Sequence, residues 1–486
     1  DRLSTPNLDR LCRAGMRFDR AYCPSPVCTP SRASIITGQY PSRHGAWTIG
    51  VRLSEDRLTL GQILSTEGYH TGLIGKAHFQ PLAGPSLEKQ PTLRNLDFWR
   101  SFNGPWYGFD HIELARNHAD ESHVGQHYAI WMEEKGLSNW RDYFQPLPGE
   151  TAAHAPATHA SGHYWARSDR TWSLPAEFHY TTWTGERSLA FLDRAARYDE
   201  NFFLWASFHD PHPPYTVPEP WASMYDPKNM VPGRLHPGEH DSNPPHFAMT
   251  QESNPDFSQW HDPHEAHGCS SHLYDQSELQ KDMAAYYGMI SFLDAQIGLI
   301  LDRLDSLGLA NNTLIVFTTD HGHFLGQHGL VAKGPFHYED LLRIPFIVAW
   351  PGRVPEGRTS DAMQSLIDLM PSFLEAAGIE IPGEVQGQSQ LPCWTRGEAV
   401  RDFVICENRH NPIMPHVTSY VDGRYKISVY RQGPHGELFD LQSDPGEIQN
   451  LWSEPQMAPI KEQMLHAMVQ GFLRSEPMPS ERVAQA

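Results

Sequence analysis

Four short runs of apolar residues, each ending in polar or charged residues, stand out along the chain. In order they are YHTGLIGKAHF at 69–79, NFFLWASFHDPH at 201–212, NTLIVFTTDHG at 312–322 and IPFIVAWPG at 344–352. Their apolar residues are continuous rather than alternating, which is typical of strands covered on both faces in a parallel sheet. Helical periodicity lies between them, most clearly at 58–67, 187–196 and 279–307. The pattern predicts an α/β fold with a large central, mostly parallel sheet flanked by helices.

Chemically useful side chains follow the apolar part of three of these runs. They are Lys76 and His78 in the first, His209 and His212 in the second, and Asp320 and His321 in the third. Folds of this kind bind their ligands at the carboxyl ends of parallel strands. We therefore expect these side chains to meet at one edge of the sheet.

The character of the chain changes after residue 379, in the stretch IPGEVQGQSQLPCWTRG. Beyond it, FVICENR, SYVDGRYKISVYR and ELFDL are strand-like, and a helical pattern covers 457–473. The Asp422-Gly423 pair is a hairpin signal. The sequence predicts a catalytic domain at 1–380 and a small C-terminal α+β subdomain with an antiparallel sheet at 381–486.

Two segments, 101–180 and 228–275, have weak periodicity and are rich in His, Pro, Gly and Trp. We expect long surface loops there, where substrate selection often occurs. The first segment and the residues just after it contain aromatic side chains that either stack on a sugar or an aromatic ring or only pack the loop: Trp106, Tyr107, His179, Tyr180 and Trp183.

Composition and charge exclude several classes of partner. The chain has 486 residues, 39% of them hydrophobic, and a net charge of −20. The charge disfavours nucleic acids and anionic membrane surfaces, although a local cationic pocket for a small anion is compatible with it. No apolar run reaches the roughly 20 residues of a membrane span. Six scattered cysteines without a CxxC pair indicate a mostly reduced chain.

One cysteine stands in an unusual context. Cys28 lies in VCTPSRASIITGQYPSRHG at 27–45, just before a helix predicted to begin near Ser31. It is either a buried structural thiol or a thiolate nucleophile activated by the helix N-terminus and Arg32. A third interpretation comes from a family resemblance.

The ordered motifs resemble those of the type I (formylglycine-dependent) sulfatases of the alkaline phosphatase superfamily. C-x-P-S-R at 28–32 is similar to the signature of that family. Further similar segments follow in the family's order over 1–100 and 185–460: GYHTGLIGKAHF, FHDPHPPY, SFLDAQIGLILDRL, FTTDHGHFLGQHG, KGPFHYEDLLRIPFIVAWPG and ELFDLQSDPGEIQNL. The resemblance implies hydrolysis of a carbohydrate, aryl or alkyl sulfate to an alcohol and inorganic sulfate.

The resemblance also implies a modified residue and a metal. A formylglycine-generating enzyme would convert Cys28 to an aldehyde, whose hydrate is the nucleophile that attacks sulfur. Cys28, Asp320 and His321 would be metal ligands. Oxygen ligands favour Ca²⁺, with Mg²⁺ or Mn²⁺ as alternatives.

The remaining roles follow from the same resemblance. Lys76 and Lys333 would bind the sulfate, and Arg32 would hold the formylglycine and the metal ligands. His78 would take a proton from the second hydroxyl of the hydrate, and His212 would protonate the leaving oxygen. The nearby histidines are expected to have structural roles: His209, His323 and His328.

One part of the family pattern is not found. Its members open with an apolar strand that ends in Asp-Asp, and these carboxylates are further metal ligands. No such strand precedes Asp1, so we expect about 30 residues to be missing at the N-terminus. No signal peptide is visible, which leaves a cytoplasmic or a periplasmic location open.

Other interpretations stay open. The same aldehyde chemistry serves phosphonate monoester hydrolases and phosphodiesterases, and an unmodified Cys28 would leave a non-catalytic anion-binding protein. HDPHEAHGC at 261–269 has the spacing of zinc ligands but no helix to fix their geometry, so a polar loop is favoured there. Self-association is also left open.

Overall fold

The computed structural model describes the chain over residues 3–147, 152–157, 167–257, 271–409, 415–431 and 433–477. The stretch HDPHEAHGC at 261–269 lies outside these residues.

Strands form four sheets within the described residues. They are β1 (Met16–Tyr22), β2 (His70–Gly75), β3 (His111–Leu114), β4 (Phe202–Ser207), β5 (Ile315–Thr318), β6 (Phe324–Leu325), β7 (Val331–Ala332), β8 (Arg343–Ala349), β9 (Arg358–Ser360), β10 (Gln364–Ser365), β11 (Val404–Arg409), β12 (His416–Val421), β13 (Tyr425–Tyr430) and β14 (Gly436–Asp440).

The α-helices cover and connect these sheets. They are α1 (Pro6–Ala14), α2 (Cys28–Thr37), α3 (Pro41–His44), α4 (Leu60–Thr66), α5 (Gln90–Leu93), α6 (Leu96–Ser101), α7 (Gln126–Glu134), α8 (Tyr180–Tyr198), α9 (Pro245–Met249), α10 (Gln276–Ser306), α11 (Glu339–Leu342), α12 (Leu369–Ala376), α13 (Leu391–Arg396) and α14 (Ala458–Arg474).

The predicted α/β class is confirmed. Strands β3, β2 and β4 form a parallel sheet. A second sheet has the order β10-β1-β8-β5, with β9 also paired to β1. Strand β8 runs antiparallel to both of its neighbours. Its continuous apolar run, which suggested a parallel strand, reflects burial and carries no information on direction.

Strands β4 and β5 depart from the expected burial on both faces. Each has one strand neighbour within the described residues, β2 for β4 and β8 for β5. Most of their residues are only partly buried. Side chains from both strands nevertheless pack against the main hydrophobic core, including Phe203, Trp205 and Val316.

Helix α10 is the longest element and packs against α8 and α1. The side chain of its N-cap, Asp275, accepts a hydrogen bond of 2.8 Å from the main-chain nitrogen of Glu278, which satisfies one of the free amides at the helix start. By length and composition the helix could cross a membrane, but 67% of its most apolar window is buried inside the protein. Its apolar surface is therefore used in packing.

The predicted C-terminal sheet is confirmed. Strands β11 to β14 form an antiparallel meander against which α14 packs. The hairpin turn forms where expected, since Asp422 Oδ1 accepts hydrogen bonds of 2.7 Å from the main chains of Arg424 and Tyr425. The division into 1–380 and 381–486 stays a prediction.

The segment 101–180 differs from the expected surface loop. It contains β3 and α7, and the residues that connect them are almost all buried. The aromatic side chains named above are at most 5% exposed and belong to the packed interior: Trp106, Tyr107, His179, Tyr180 and Trp183. The packing interpretation is confirmed.

Gly75 ends β2 in a conformation that other residues rarely adopt. Its φ is 110°, and a Cβ there would lie 2.0 Å from the carbonyl oxygen of Ser207. We expect Gly75→Ala to lower the free energy of unfolding by at least ~2 kcal/mol in a urea titration. Gly423→Ala is the control, because its Cβ would meet no described atom within 4 Å. Equal stability of the two variants would contradict this explanation.

Candidate active site

Cys28 is the first residue of α2, three residues before the expected helix start. All ten residues of the helix are buried. The helix ends at Gly38, whose φ of 62° is left-handed and whose main-chain nitrogen donates to the carbonyl of Ser34 at 2.9 Å. The helix N-terminus therefore places Cys28 in the interior, in a position that favours negative charge.

Two lysines converge on the sulfur of Cys28. Lys76 directly follows β2, and its Nζ lies 3.4 Å from Cys28 Sγ. Lys333 directly follows β7, and its Nζ lies 3.0 Å from the same sulfur. Both side chains are buried, so the two lysines form a cationic pocket around the sulfur.

This pocket controls the ionisation of Cys28. Burial alone raises the pKa of the thiol, but Lys333, Lys76 and His321 together bring the pKa well below its usual range. An anion is thus stabilised at residue 28.

Asp320 and His321 lie just beyond β5, as expected. His321 Nδ1 donates to the carbonyl of Gly322 at 2.8 Å, and its Nε2 lies 3.2 Å from Cys28 Sγ. Burial raises the pKa of the Asp320 carboxyl, but electrostatic interactions with neighbouring groups, first His321 and then Lys76 and Arg32, lower it to about 2.

These residues fit a divalent cation. One ligand atom from each of Cys28, Asp320 and His321 lies within 4.8 Å of the others. The set offers one carboxylate oxygen, one imidazole nitrogen and the side chain of residue 28. An oxygen at residue 28 would make the set harder and so more suited to Ca²⁺.

Arg32 contacts residues at the ends of three strands, β2, β4 and β5. Its Nε donates to the carbonyl of Ala77 at 2.8 Å, and its Nη2 donates to the carbonyl of Lys76 and to Ser207 Oγ. Its Nη1 lies 3.4 Å from Asp320 Oδ2. The guanidinium therefore bridges the segments after β2 and β5 and the end of β4.

His78 is held beside the pocket in a left-handed conformation with a φ of 59°. Its main-chain nitrogen donates to Glu88 Oε1 at 3.1 Å, and Glu88 in turn lies 3.6 Å from Arg116. Burial and Arg116 hold the pKa of His78 well below its usual range, so the ring is neutral.

His212 lies close enough to Cys28 for each to affect the pKa of the other. Burial lowers the pKa of His212 to about 4, and both lysines add to this effect. Its ring stacks on that of His118, with the ring centres 3.6 Å apart and a 16° angle between the planes.

Sequence reasoning did not single out His118. The available signal was the polar stretch NHADESH, which begins shortly after the short strand β3. Because β3 pairs in parallel with β2, the two strands end at the same edge of the sheet.

The three other histidines have structural contacts, as expected. His209 Nε2 bonds to the carbonyl of Ala115 at 2.8 Å, and His323 bonds to the hydroxyl of Tyr215. His328 is paired with Glu239.

A nucleophile position enclosed by cations suits the hydrolysis of esters of tetrahedral anions. The sulfatase family profile matches residues 1–379, and the chain belongs to that family. A second profile, described as the C-terminal part of N-sulphoglucosamine sulphohydrolase, matches residues 326–472.

Individual proteins support this assignment. An uncharacterized sulfatase of Escherichia coli, YidJ, is 28% identical, covering 96% of this chain and 82% of the relative. An arylsulfatase of Clostridium perfringens is 29% identical, and the match covers 92% of this chain and 85% of the relative. The structure of the phosphonate monoester hydrolase SpPMH from Silicibacter pomeroyi is similar, with a TM-score of 0.77 and 25% sequence identity. The match covers 99% of this chain and 92% of that chain.

His328 anchors the segment that leads to Lys333 and contributes stability that depends on pH. Burial lowers its pKa, but Asp340 and Glu239 raise the value to about 9. Its contribution is fully present below the unfolded-state pKa of about 6.5 and is lost as the pH rises through about 9.

We expect His328→Gln to remove on the order of 3 kcal/mol of unfolding free energy at about pH 6 and much less at about pH 10. Urea titrations at both pH values measure this difference. His466→Gln, at an exposed position, should not change the pH dependence. An equal loss for His328→Gln at both pH values would contradict the assignment.

Proposed function

We propose that the protein hydrolyses a sulfate monoester of a carbohydrate or of an aryl or alkyl alcohol, releasing inorganic sulfate. The observation that carries this proposal is the convergence of Lys76 Nζ and Lys333 Nζ on the buried side chain of residue 28. Two fixed ammonium groups in a site without bulk water bind sulfate oxygens more strongly than they would in solution.

Residue 28 is proposed to be formylglycine in the active protein, made from Cys28 by a formylglycine-generating enzyme. The C-x-P-S-R sequence at 28–32 and membership of the sulfatase family support this. The hydrated aldehyde would supply a hydroxyl nucleophile for sulfur. Asp320, His321 and residue 28 would hold Ca²⁺, or Mg²⁺ or Mn²⁺, which would offset the charge on the sulfate oxygens.

The other residues orient the substrate and the nucleophile. Lys76 and Lys333 bind the sulfuryl oxygens, and Arg32 keeps Lys76 and Asp320 in place through the hydrogen bonds described above. Because all three side chains are buried, an ester bound to them would be held against residue 28 and away from bulk solvent.

His78 and His212 are proposed to move protons. The neutral ring of His78 accepts a proton from residue 28. His212 Nδ1 donates to the carbonyl of Pro213 at 2.5 Å, so Nε2 is the atom that faces proton exchange. A bound sulfate offsets the positive charge of the lysines, which favours the protonated form of His212 needed to protonate the leaving oxygen.

A second candidate is hydrolysis of phosphonate monoesters or phosphodiesters, favoured by the similarity to the SpPMH structure. The experiment that separates the candidates compares kcat/KM on an aryl sulfate, an aryl phosphonate monoester and an aryl phosphodiester with the same phenol. The proposal requires the sulfate to be the best substrate. A protein that binds sulfate but turns over none of the three would instead be an anion-binding protein.

Replacing the nucleophile tests the proposed chemistry. We expect Cys28→Ala to abolish turnover of the aryl sulfate, and the wild-type peptide containing residue 28 to be about 18 Da lighter than its unmodified thiol form, because H₂S leaves and O arrives. Mass spectrometry and a phenol-release assay measure these outcomes. Cys12→Ala, outside the site, should keep its activity. Full activity of Cys28→Ala would eliminate the mechanism.

Removing a sulfate-binding lysine tests the cationic pocket. We expect Lys333→Ala to lower kcat/KM on the aryl sulfate about 10²- to 10³-fold, because a fixed charge opposite the sulfate is lost. Lys228→Ala, at an exposed position, is the matched control and should leave kcat/KM unchanged. Similar values for both variants would show that Lys333 does not bind the substrate.

A further inference from the structure

A second group of metal-ligating side chains lies beyond the end of β3. It consists of His118, Glu121 and His123, which are 5%, 4% and 6% exposed. Each offers one ligand atom, and these atoms all lie within 4.8 Å of one another. The group shares no residue with the cation site at residue 28.

The three side chains converge on one carboxylate oxygen, Glu121 Oε2. His118 Nδ1 lies 3.0 Å from this oxygen, and the main-chain nitrogen of His118 donates to it at 2.8 Å. His123 Nε2 also lies 2.8 Å from this oxygen.

Both histidines therefore face the same carboxylate oxygen, at distances of 3.0 Å and 2.8 Å. The edge of a tetrahedral zinc site is about 3.3 Å, since zinc bonds to nitrogen and oxygen are about 2.0–2.2 Å long. The distances within the group are therefore close to those of ligands arranged around a small ion.

The donor types select the ion. Two imidazole nitrogens and one carboxylate oxygen suit Zn²⁺, whereas Ca²⁺ prefers six to eight oxygens. We propose that His118, Glu121 and His123 bind Zn²⁺, with the fourth position open to water or to a polar group of the substrate.

The position of the group suggests what the ion does. His118 stacks on His212 with the ring centres 3.6 Å apart. Fixing His118 on the ion fixes the plane on which His212 rests, so His118 is a positioning residue for His212. This last step rests on the proposed function, whereas zinc binding itself does not.

The test measures zinc binding by the chain in excess Ca²⁺, by elemental analysis and by competition with a chromophoric chelator. We expect one Zn²⁺ per chain, and an affinity at least about 100-fold lower in Glu121→Gln and in His123→Gln. Asp320→Asn, in the site at residue 28, should keep the zinc affinity. So should His328→Gln, which removes a buried histidine paired with carboxylates elsewhere.

A wild-type chain that binds no Zn²⁺ under these conditions would overturn the proposal and leave a hydrogen-bonded triad only. The same holds if the zinc is lost in Asp320→Asn but kept in Glu121→Gln. Should a variant fail to fold, Co²⁺ loaded into the wild-type chain decides the matter through its tetrahedral absorption bands and its X-ray absorption spectrum. A wild-type chain that binds Zn²⁺ but does not turn over the aryl sulfate would contradict only the proposed function and not the zinc site.

Discussion

Repulsion between two buried ammonium groups is the constraint on which the rest of the structure depends. Lys76 and Lys333 both approach Cys28 Sγ, and neither reaches solvent. Taking such charges out of water is costly unless a negative charge lies between them. The fold must therefore hold the lysines rigidly and offer an anion at residue 28, whether a thiolate or the oxygens of a bound ester. The site is prepared for an anion before any ligand arrives.

The lysines are held in place because each directly follows a strand, and because Arg32 links the ends of neighbouring strands by hydrogen bonds. The guanidinium reaches the carbonyls after β2, Ser207 at the end of β4 and Asp320 after β5, and it also packs on Trp205 at 4.8 Å. It therefore couples the parallel sheet to the mixed sheet at the point where charge is concentrated. The C-terminal sheet contributes as well, since Glu407 of β11 accepts two hydrogen bonds from Ser42, just beyond α2.

Much of this arrangement could be predicted from the sequence, because apolar runs and the polar residues after them mark strand ends directly. Lys76, His212 and Asp320 were placed in this way. Other features depend on contacts between distant segments. The antiparallel direction of β8 and the partial burial of β4 and β5 follow from which strands become neighbours. His118 was missed because β3, the strand before it, has only four residues and leaves little pattern in the sequence. His118 lies near the site because β3 pairs with β2.

The complete burial of Cys28 has a consequence for the order of events in the life of the chain. With an exposed fraction of 0% and a helix built on top of it, the side chain is out of reach of any macromolecule once α2 has packed. An enzyme that oxidises Cys28 must therefore bind the segment while it is still extended. The proposed conversion of Cys28 would then compete with folding, and molecules that fold first would keep the thiol. The active fraction of a preparation would then report the relative rates of conversion and folding.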